Sequence, residues 1–430
     1  MTDLPTDLTP VILQGHVIDC LRVEDARVRG KLPEGSVQCV VTSPPYWGQR
    51  SYGTEARVWG GEPGHAHEWK ETAPRRSRSE RDQGHNSAYR PGGRLERNGH
   101  YSAEAASPEN FEARGGAECP CGAWKGELGC EPTPERFVAD LVSVFEEVRR
   151  VLKDGGTCWV NLGATYATHP AGLTGPARWA KSTMGGRHHI GTEQSGAFDK
   201  RAPGWKRKEL VPVPWLFALA MHEAGWWIRS DVQWWKLNGK HENVEDRPFR
   251  AHEYITMFTK TADPYYNEEA LRQPYVPSTI REIGIAYRSE SKKVSVDGKE
   301  YSLYDRAGAE DPSDLKRRTI KSLAERGGSM LPDVWFMSTG NGKGRHVAVF
   351  PETLPELCIT ASTKAGDLVL DPFAGSGTTL IVARRLGRPS IGIELSAESA
   401  AFAREKIARP SGSVLHPAQY RLSEFEEAPS

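Results

Sequence analysis

The chain has 430 residues, of which 38% are apolar and 26% charged, a balance that suits a soluble protein with one core plus insertions or a second domain. Lys and Arg total 56, as do Asp and Glu, so any affinity for nucleic acid must come from local patches and not from net charge. No stretch approaches the roughly 18 apolar residues of a membrane span. Met1 to Pro10 lacks the basic start and apolar run of a signal peptide, so the expectation is a cytoplasmic protein with no membrane partner. The seven cysteines are scattered apart from Cys119, Cys121 and Cys130, and read as reduced thiols.

In chain order, residues 10–60 form a first core segment. Within it Val37 to Thr42 predicts a short buried strand, stopped at Ser43-Pro44-Pro45 because proline cannot continue the pairing. Residues 61–130 read as a polar insertion, with eight basic residues against four acidic ones from Lys70 to Arg97. Residues 131–265 return to a core pattern. Thr133 predicts a helix cap with Pro134 at the first position, and Phe137, Leu141, Val144, Phe145, Val148 and Leu152 recur on one face. Asp154-Gly155-Gly156 predicts the end of that helix, and Thr157 to Leu162 the next strand. A Gly-rich loop over 166–208 carries eight basic residues from Arg178 to Lys208 against Glu193 and Asp199. Both basic stretches read either as solvated loops or as strips that track phosphate.

Residues 336–410 repeat the core grammar: a strand at Asp367 to Leu370, a Gly-rich turn at Asp371 to Gly377, and a helix at Thr378 to Leu386. A strand at Ser390 to Ile393 then ends in Glu394, and Ala397 to Ile407 predicts a further helix. Strand, helix and strand in this order predict an α/β fold, a parallel sheet covered by helices, with ligands beyond the carboxyl ends of the strands. Residues 411–430 are a polar tail.

Two motifs fall at such strand ends. In Asp371-Pro372-Phe373-Ala374-Gly375-Ser376-Gly377-Thr378-Thr379, the glycines let the backbone turn tightly and approach a ligand. Glu394, at the next strand end, is placed to accept hydrogen bonds from ribose hydroxyls. The turn is neither a P-loop nor a dinucleotide Gly-x-Gly-x-x-Gly. In Thr42-Ser43-Pro44-Pro45-Tyr46-Trp47-Gly48, the prolines fix the backbone so that the Ser43 oxygen and the Pro44 carbonyl can accept the two hydrogens of one amino group. Tyr46 offers a stacking face for a planar ring, a contact that contributes about 1–3 kcal/mol on a base.

Together the motifs resemble those of the DNA amino-methyltransferases, which pair an Asp-, Asn- or Ser-Pro-Pro-Tyr/Phe motif with an Asp-Pro-Phe-x-Gly-Ser-Gly-Thr motif. The catalytic motif comes first and the cofactor motif late, which resembles the permuted, beta-type order. The resemblance implies a Rossmann-like methyltransferase fold, mostly parallel and circularly permuted in motif order, with insertions for DNA recognition. It implies S-adenosyl-L-methionine as cofactor and double-stranded DNA as partner, and leaves a homodimer and a cognate restriction endonuclease open. Ser43, Pro44, Pro45 and Tyr46 would be catalytic. Asp371, Phe373, Ala374, Gly375, Ser376, Gly377, Thr378 and Glu394 would bind the cofactor, as would Asp19 in Ile18-Asp19-Cys20. Ser230 to Trp235 and Arg247 to Tyr254 resemble strands lining the base pocket, His346 to Pro351 the methionine-side segment, and residues 266–335 would be the target-recognition segment.

The Ser-Pro-Pro-Tyr form leans towards N4 of cytosine, with N6 of adenine as the alternative. An RNA amino-methyltransferase or a non-catalytic DNA-binding module are more distant alternatives. Methylation at carbon 5 of cytosine needs a cysteine nucleophile. Pro120-Cys121 lies in a polar insertion away from any strand end, so that reading is rejected. His65-x-His67 and Cys119-x-Cys121 supply four nitrogen and sulfur ligands for a structural zinc, but Cys-x-Cys departs from the usual Cys-x-x-Cys. The sequence therefore assigns no metal, and two surface histidines with two reduced thiols is the other reading.

Overall fold

The computed structural model describes residues 10–22, 32–49, 52, 54–62, 64–71, 116–167, 204–206, 208–239, 242, 244–272, 293–296, 299–302, 329–340 and 350–409. Most of the two basic stretches, of the 266–335 segment and of His346 to Pro351 lies outside the described residues, as does the 411–430 tail. The chain divides into two compact units, Met1–Tyr265 with Val334–Ser411, and Tyr266–Asp333 with Gly412–Ser430.

The first unit opens with β1 (Val11–Gln14), α1 (Val17–Arg22) and β2 (Val37–Thr42). Four short strands follow: β3 (Arg57–Trp59), β4 (Lys70–Glu71), β5 (Ala117–Glu118) and β6 (Trp124–Gly126). Then come α2 (Pro134–Val151), β7 (Leu152–Leu162), β8 (Thr165–Tyr166), β9 (Leu210–Val211), α3 (Val213–Glu223), β10 (Trp227–Lys236) and β11 (His252–Thr259). The second unit contributes a one-turn helix at Glu269–Leu271 and an antiparallel hairpin of β12 (Lys293–Val296) and β13 (Lys299–Ser302). The first unit resumes with β14 (Val334–Met337), α4 (Thr353–Ser362), β15 (Val369–Asp371), α5 (Thr378–Arg385), β16 (Ser390–Glu394) and α6 (Ala397–Ala408).

Eight strands form one sheet in the order β1-β16-β15-β2-β7-β11-β10-β14. The first five are mutually parallel, β11 runs antiparallel to both neighbours, and β14 is parallel to β10. All six residues of β2 are buried, as a central parallel strand covered on both faces requires. Ile12 and Leu13 are neighbours on β1 yet belong to two different apolar clusters, so those clusters lie on opposite faces of the sheet. One holds the buried faces of α1, α2 and α3, and the other packs α5 and α6 against Ile12 and Ala374. The mostly parallel, helix-covered sheet is the Rossmann-like architecture that the motifs imply. Among the described residues no helix is long and apolar enough to cross a membrane, and all seven cysteines are free thiols.

The Thr133 hydroxyl accepts from Arg136 N at 3.1 Å and starts α2 where expected. The end of that helix differs. The chain turns extended at Leu152, and Asp154-Gly155-Gly156 lies inside the 11-residue β7. Pairing with β2 jumps from Val37–Leu152 to Cys39–Thr157. A Cβ on Gly156 would come 3.0 Å from Gln38 O and 2.8 Å from Leu152 Cγ, so this glycine permits a close approach of strands instead of ending a helix. Likewise β15 begins at Val369, because Asp367 closes the preceding turn by accepting from Lys364 N at 2.8 Å. Of the Arg247 to Tyr254 segment, only His252 onwards is strand.

Asp371, the last residue of β15, joins three elements. Its Oδ1 accepts from Thr42 Oγ1 of β2 at 2.7 Å and from Phe373 N at 3.1 Å, while Oδ2 accepts from Thr379 Oγ1 of α5 at 2.7 Å. Burial pushes the Asp371 carboxyl up to about 6, against the pull of these donors. A folded value above the unfolded one means that stability is present below about pH 4 and is lost as pH rises to about 6. Asn cannot ionise, so the stability of Asp371→Asn relative to wild type should increase across that window. Urea midpoints measured at both ends check this, and a constant difference would exclude it. On the other side of the core, Phe145 is fully buried and meets Phe217 edge-on at 5.3 Å. Phe145→Ala should lower unfolding free energy by about 3–5 kcal/mol, read from the same midpoints.

Candidate active site

The carboxyl ends of the parallel strands bring the two motifs to one edge. Thr42 ends β2, Asp371 ends β15 and Glu394 ends β16, while Asn161 is the penultimate residue of β7. The reversed β11 delivers its first residues to the same edge: Tyr254 pairs with Leu162, which puts Glu253 beyond the end of β7. Lys236 closes β10 beside it.

On the Ser43 side the side chains form one polar network. Tyr46 Oη donates to Glu253 Oε2 at 2.6 Å, and Asn161 Nδ2 donates to Tyr46 Oη at 2.9 Å and to Glu253 Oε2 at 3.0 Å. Lys236 Nζ donates to Glu253 Oε1, which neutralises the carboxylate. Among the described residues Ser43 Oγ makes one long hydrogen bond, donating to Tyr46 Oη at 3.4 Å, which leaves its lone pairs for a donor. Burial and then the Glu253 charge push the Tyr46 phenol well above its usual range, so it stays neutral and donates. Asn161 is buried, and its Oδ1 has no hydrogen-bond partner among the described residues. A buried acceptor of this kind is costly unless something donates to it.

Backbone packing fixes the Tyr46 ring. A Cβ on Gly163 would come 2.9 Å from ring carbon Cε2, so only glycine lets β7 end against the tyrosine. Trp47 is buried and its Nε1 donates to Glu131 O at 3.0 Å. Gly48 N donates to Gly129 O at 2.8 Å, and Gly129, at φ 94°, runs close under Pro45.

On the Asp371 side the motif divides into buried and accessible members. Asp371, Ala374, Ser376, Gly377 and Thr378 are buried and shape the turn. Gly377, at φ 76°, starts α5 and donates from N to Ala374 O at 2.7 Å. Phe373, Gly375 and Glu394 are half-buried at the edge itself. Glu394 Oε2 accepts from Gly375 N at 2.9 Å and Oε1 from Ser396 N at 2.9 Å, and burial pushes its carboxyl above the ordinary range. Each oxygen keeps lone-pair capacity for a hydroxyl donor. Asp19, exposed on α1 after the neighbouring β1, is held by Arg57 at 2.6 and 3.1 Å, which depresses its carboxyl.

Sequence reasoning missed Asn161, Glu253 and Lys236 as individual residues. The available signal was an Asn near the end of an otherwise apolar run, Thr157 to Leu162. Nothing in the order of residues pairs it with a glutamate 92 positions later.

A family model described as DNA methylase matches residues 37–405. The Type II methyltransferase M.SmaI of Serratia marcescens is 30% identical over 410 residues, covering 94% of this chain and 96% of the relative. The Type II methyltransferase M.Cfr9I of Citrobacter freundii is 30% identical over 388 residues, covering 90% and 84%. Among solved structures, PvuII DNA methyltransferase (cytosine-N4-specific) aligns with 96% of this chain and 92% of its own, at 16% identity and a TM-score of 0.44. With the family model spanning both motifs and the whole strand edge between them, the chain belongs to the N6_N4_Mtase family of DNA methylases.

Proposed function

We propose that this chain transfers a methyl group from S-adenosyl-L-methionine to N4 of a cytosine flipped from double-stranded DNA, as the modification enzyme of a restriction–modification pair. The observation that carries the reading is the Ser43–Tyr46–Asn161–Glu253 network, which opens on the same strand edge as Glu394 and the Gly375 turn.

The residues at that edge fit the cofactor. A Cβ on Gly375 would meet only Phe373 O, at 3.9 Å, so the turn is open where a ligand would approach. Glu394 supplies acceptors for ribose hydroxyls, with Phe373 and Asp19 on either side. The cofactor, when bound, supplies a methyl group on a positively charged sulfur. Ser43 Oγ, the Pro44 carbonyl and the unpartnered Asn161 Oδ1 are acceptors for the amino hydrogens of the base. Accepting them localises the nitrogen lone pair, which is otherwise delocalised into the ring, and stabilises charge that develops on nitrogen. Fixing the amino group relative to the cofactor site is itself a large source of rate. Tyr46 has its hydroxyl occupied by Glu253 and Asn161, so its ring face remains for stacking and offsets the cost of extruding the base. Asp371 acts as a positioning residue, since its carboxylate is engaged by Thr42, Phe373 and Thr379. The choice of cytosine rests on serine at position 43.

Nucleoside mass spectrometry of DNA methylated by the purified protein tests the proposal. N4-methylcytosine is the expected product. N6-methyladenine would replace the base choice, and neither product would overturn the reaction. Ser43→Ala should lower turnover by about 10²–10³ with cofactor affinity retained. Glu394→Ala should do the reverse in calorimetry, weakening cofactor binding severely. Glu253→Gln should leave cofactor binding intact and reduce turnover, because it removes the charge that pairs Lys236 and anchors Tyr46.

A further inference from the structure

Two histidines and two cysteines converge away from the strand edge. His65 and His67 lie between β3 and β4, and Cys119 and Cys121 in the turn between β5 and β6. The four strands form one small sheet in the order β3-β6-β5-β4. One ligand atom from each of the four residues lies within 4.8 Å of all the others. Cys121 Sγ and His67 Nδ1 are 3.4 Å apart. Cys119 N donates to Ala123 O at 2.8 Å, Gly122 N donates to Cys119 O at 2.9 Å, and Gly122 takes φ 84°. This tight turn is what brings two thiols separated by one residue to the same place.

The sheet is small, and it meets the main core through the buried Trp59 and Trp124. Its strands are two or three residues long, and β4 and β5 are joined through residues 72–116. Closing so long a loop costs entropy, and a metal that crosslinks the two sides of the loop lowers that cost. We propose that His65, His67, Cys119 and Cys121 bind one structural zinc ion. Zinc–nitrogen bonds of about 2.0–2.1 Å and zinc–sulfur bonds of about 2.3 Å place four ligands around one tetrahedral ion. Two imidazoles and two thiolates select zinc over the harder cations, and four protein ligands leave no open position for catalysis.

The clip braces the catalytic loop from outside. The Gly122 and Trp59 carbonyls accept from Arg136 of α2, which is paired with Asp140. β6 continues into Glu127, whose Oε1 accepts from Tyr52 N at 2.6 Å and Thr54 Oγ1 at 2.9 Å, and then into Gly129 beneath Pro45. The metal therefore ties 65–67 to 119–121 and steadies the strip on which Pro45, Gly48, Tyr52 and Thr54 rest.

The test does not depend on activity. Untagged protein, purified without chelator, should contain about one zinc per chain by elemental mass spectrometry. Exchange into cobalt(II) should give the visible bands of a tetrahedral ion and a near-ultraviolet thiolate charge-transfer band. Cys119→Ser with Cys121→Ser should reduce bound zinc to near zero and lower the thermal midpoint of the protein. Should that variant fail to fold, the metal content and cobalt spectrum of the wild type still decide. Wild-type protein without zinc and without cobalt bands overturns the site, as does unchanged zinc in the folded double variant.

Discussion

A single buried carboxylate holds the two halves of the active-site edge together. The Thr42–Asp371 hydrogen bond joins residues 329 positions apart, and Thr379 binds the other oxygen of the same group. It places β15 and α5 against β2, so the turn that carries Gly375 and the loop that carries Ser43 leave the sheet side by side. The ladder between β15 and β2 is short, pairing only Val369–Cys39 and Leu370–Val40. Directional bonds at the very end of the strand additionally fix the angle at which each loop departs. Ionised and buried, the group also carries a penalty, which is why its carboxyl is pushed up to about 6.

The second constraint is the direction of β11. A parallel strand in that position would bring its C-terminal residue to the edge, where threonine ends β11. Because β11 is reversed, His252, Glu253 and Tyr254 arrive there instead. Glu253 then meets Tyr46 and Asn161 on one oxygen and Lys236 on the other. Lys236 and Asn161 offset the burial of the Glu253 charge, and the tyrosine is held by its hydroxyl with its ring left for a ligand. One strand reversal thus converts a stacking aromatic into an oriented one.

Trp47 Nε1 donates to Glu131 O and Gly48 N to Gly129 O, while Glu127 accepts from Tyr52 N and Thr54 Oγ1; all three partners follow directly from the small β3-β6-β5-β4 sheet. That sheet is anchored to α2 by Arg136, and His65, His67, Cys119 and Cys121 converge on it. Through Gly129, which runs close under Pro45, the described part of the polar insertion reaches the loop that carries Ser43 and Tyr46.

Sequence alone determined the elements with a strong local cause. Pro44 and Pro45 end β2, Thr133 and Pro134 start α2, and the Asp371 to Thr379 turn connects β15 to α5. Each of these is decided within a few residues by ring geometry, a cap or a positive φ. The motif pair was legible for the same reason, and with it the family. The tertiary structure decided what depends on contacts across the sheet. Gly156 resembles a helix stop until the nearness of Gln38 O shows that it serves strand approach. Asn161, Glu253 and Lys236 are ordinary polar residues in sequence, and only strand register and the reversal of β11 make them one network. The Cys-x-Cys spacing argued against a metal on its own, because sequence does not show the turn at Gly122 that brings both sulfurs to two histidines over 50 residues away. Local chemistry is written in neighbouring residues, whereas a site assembled from six strands exists only once their order and direction are set.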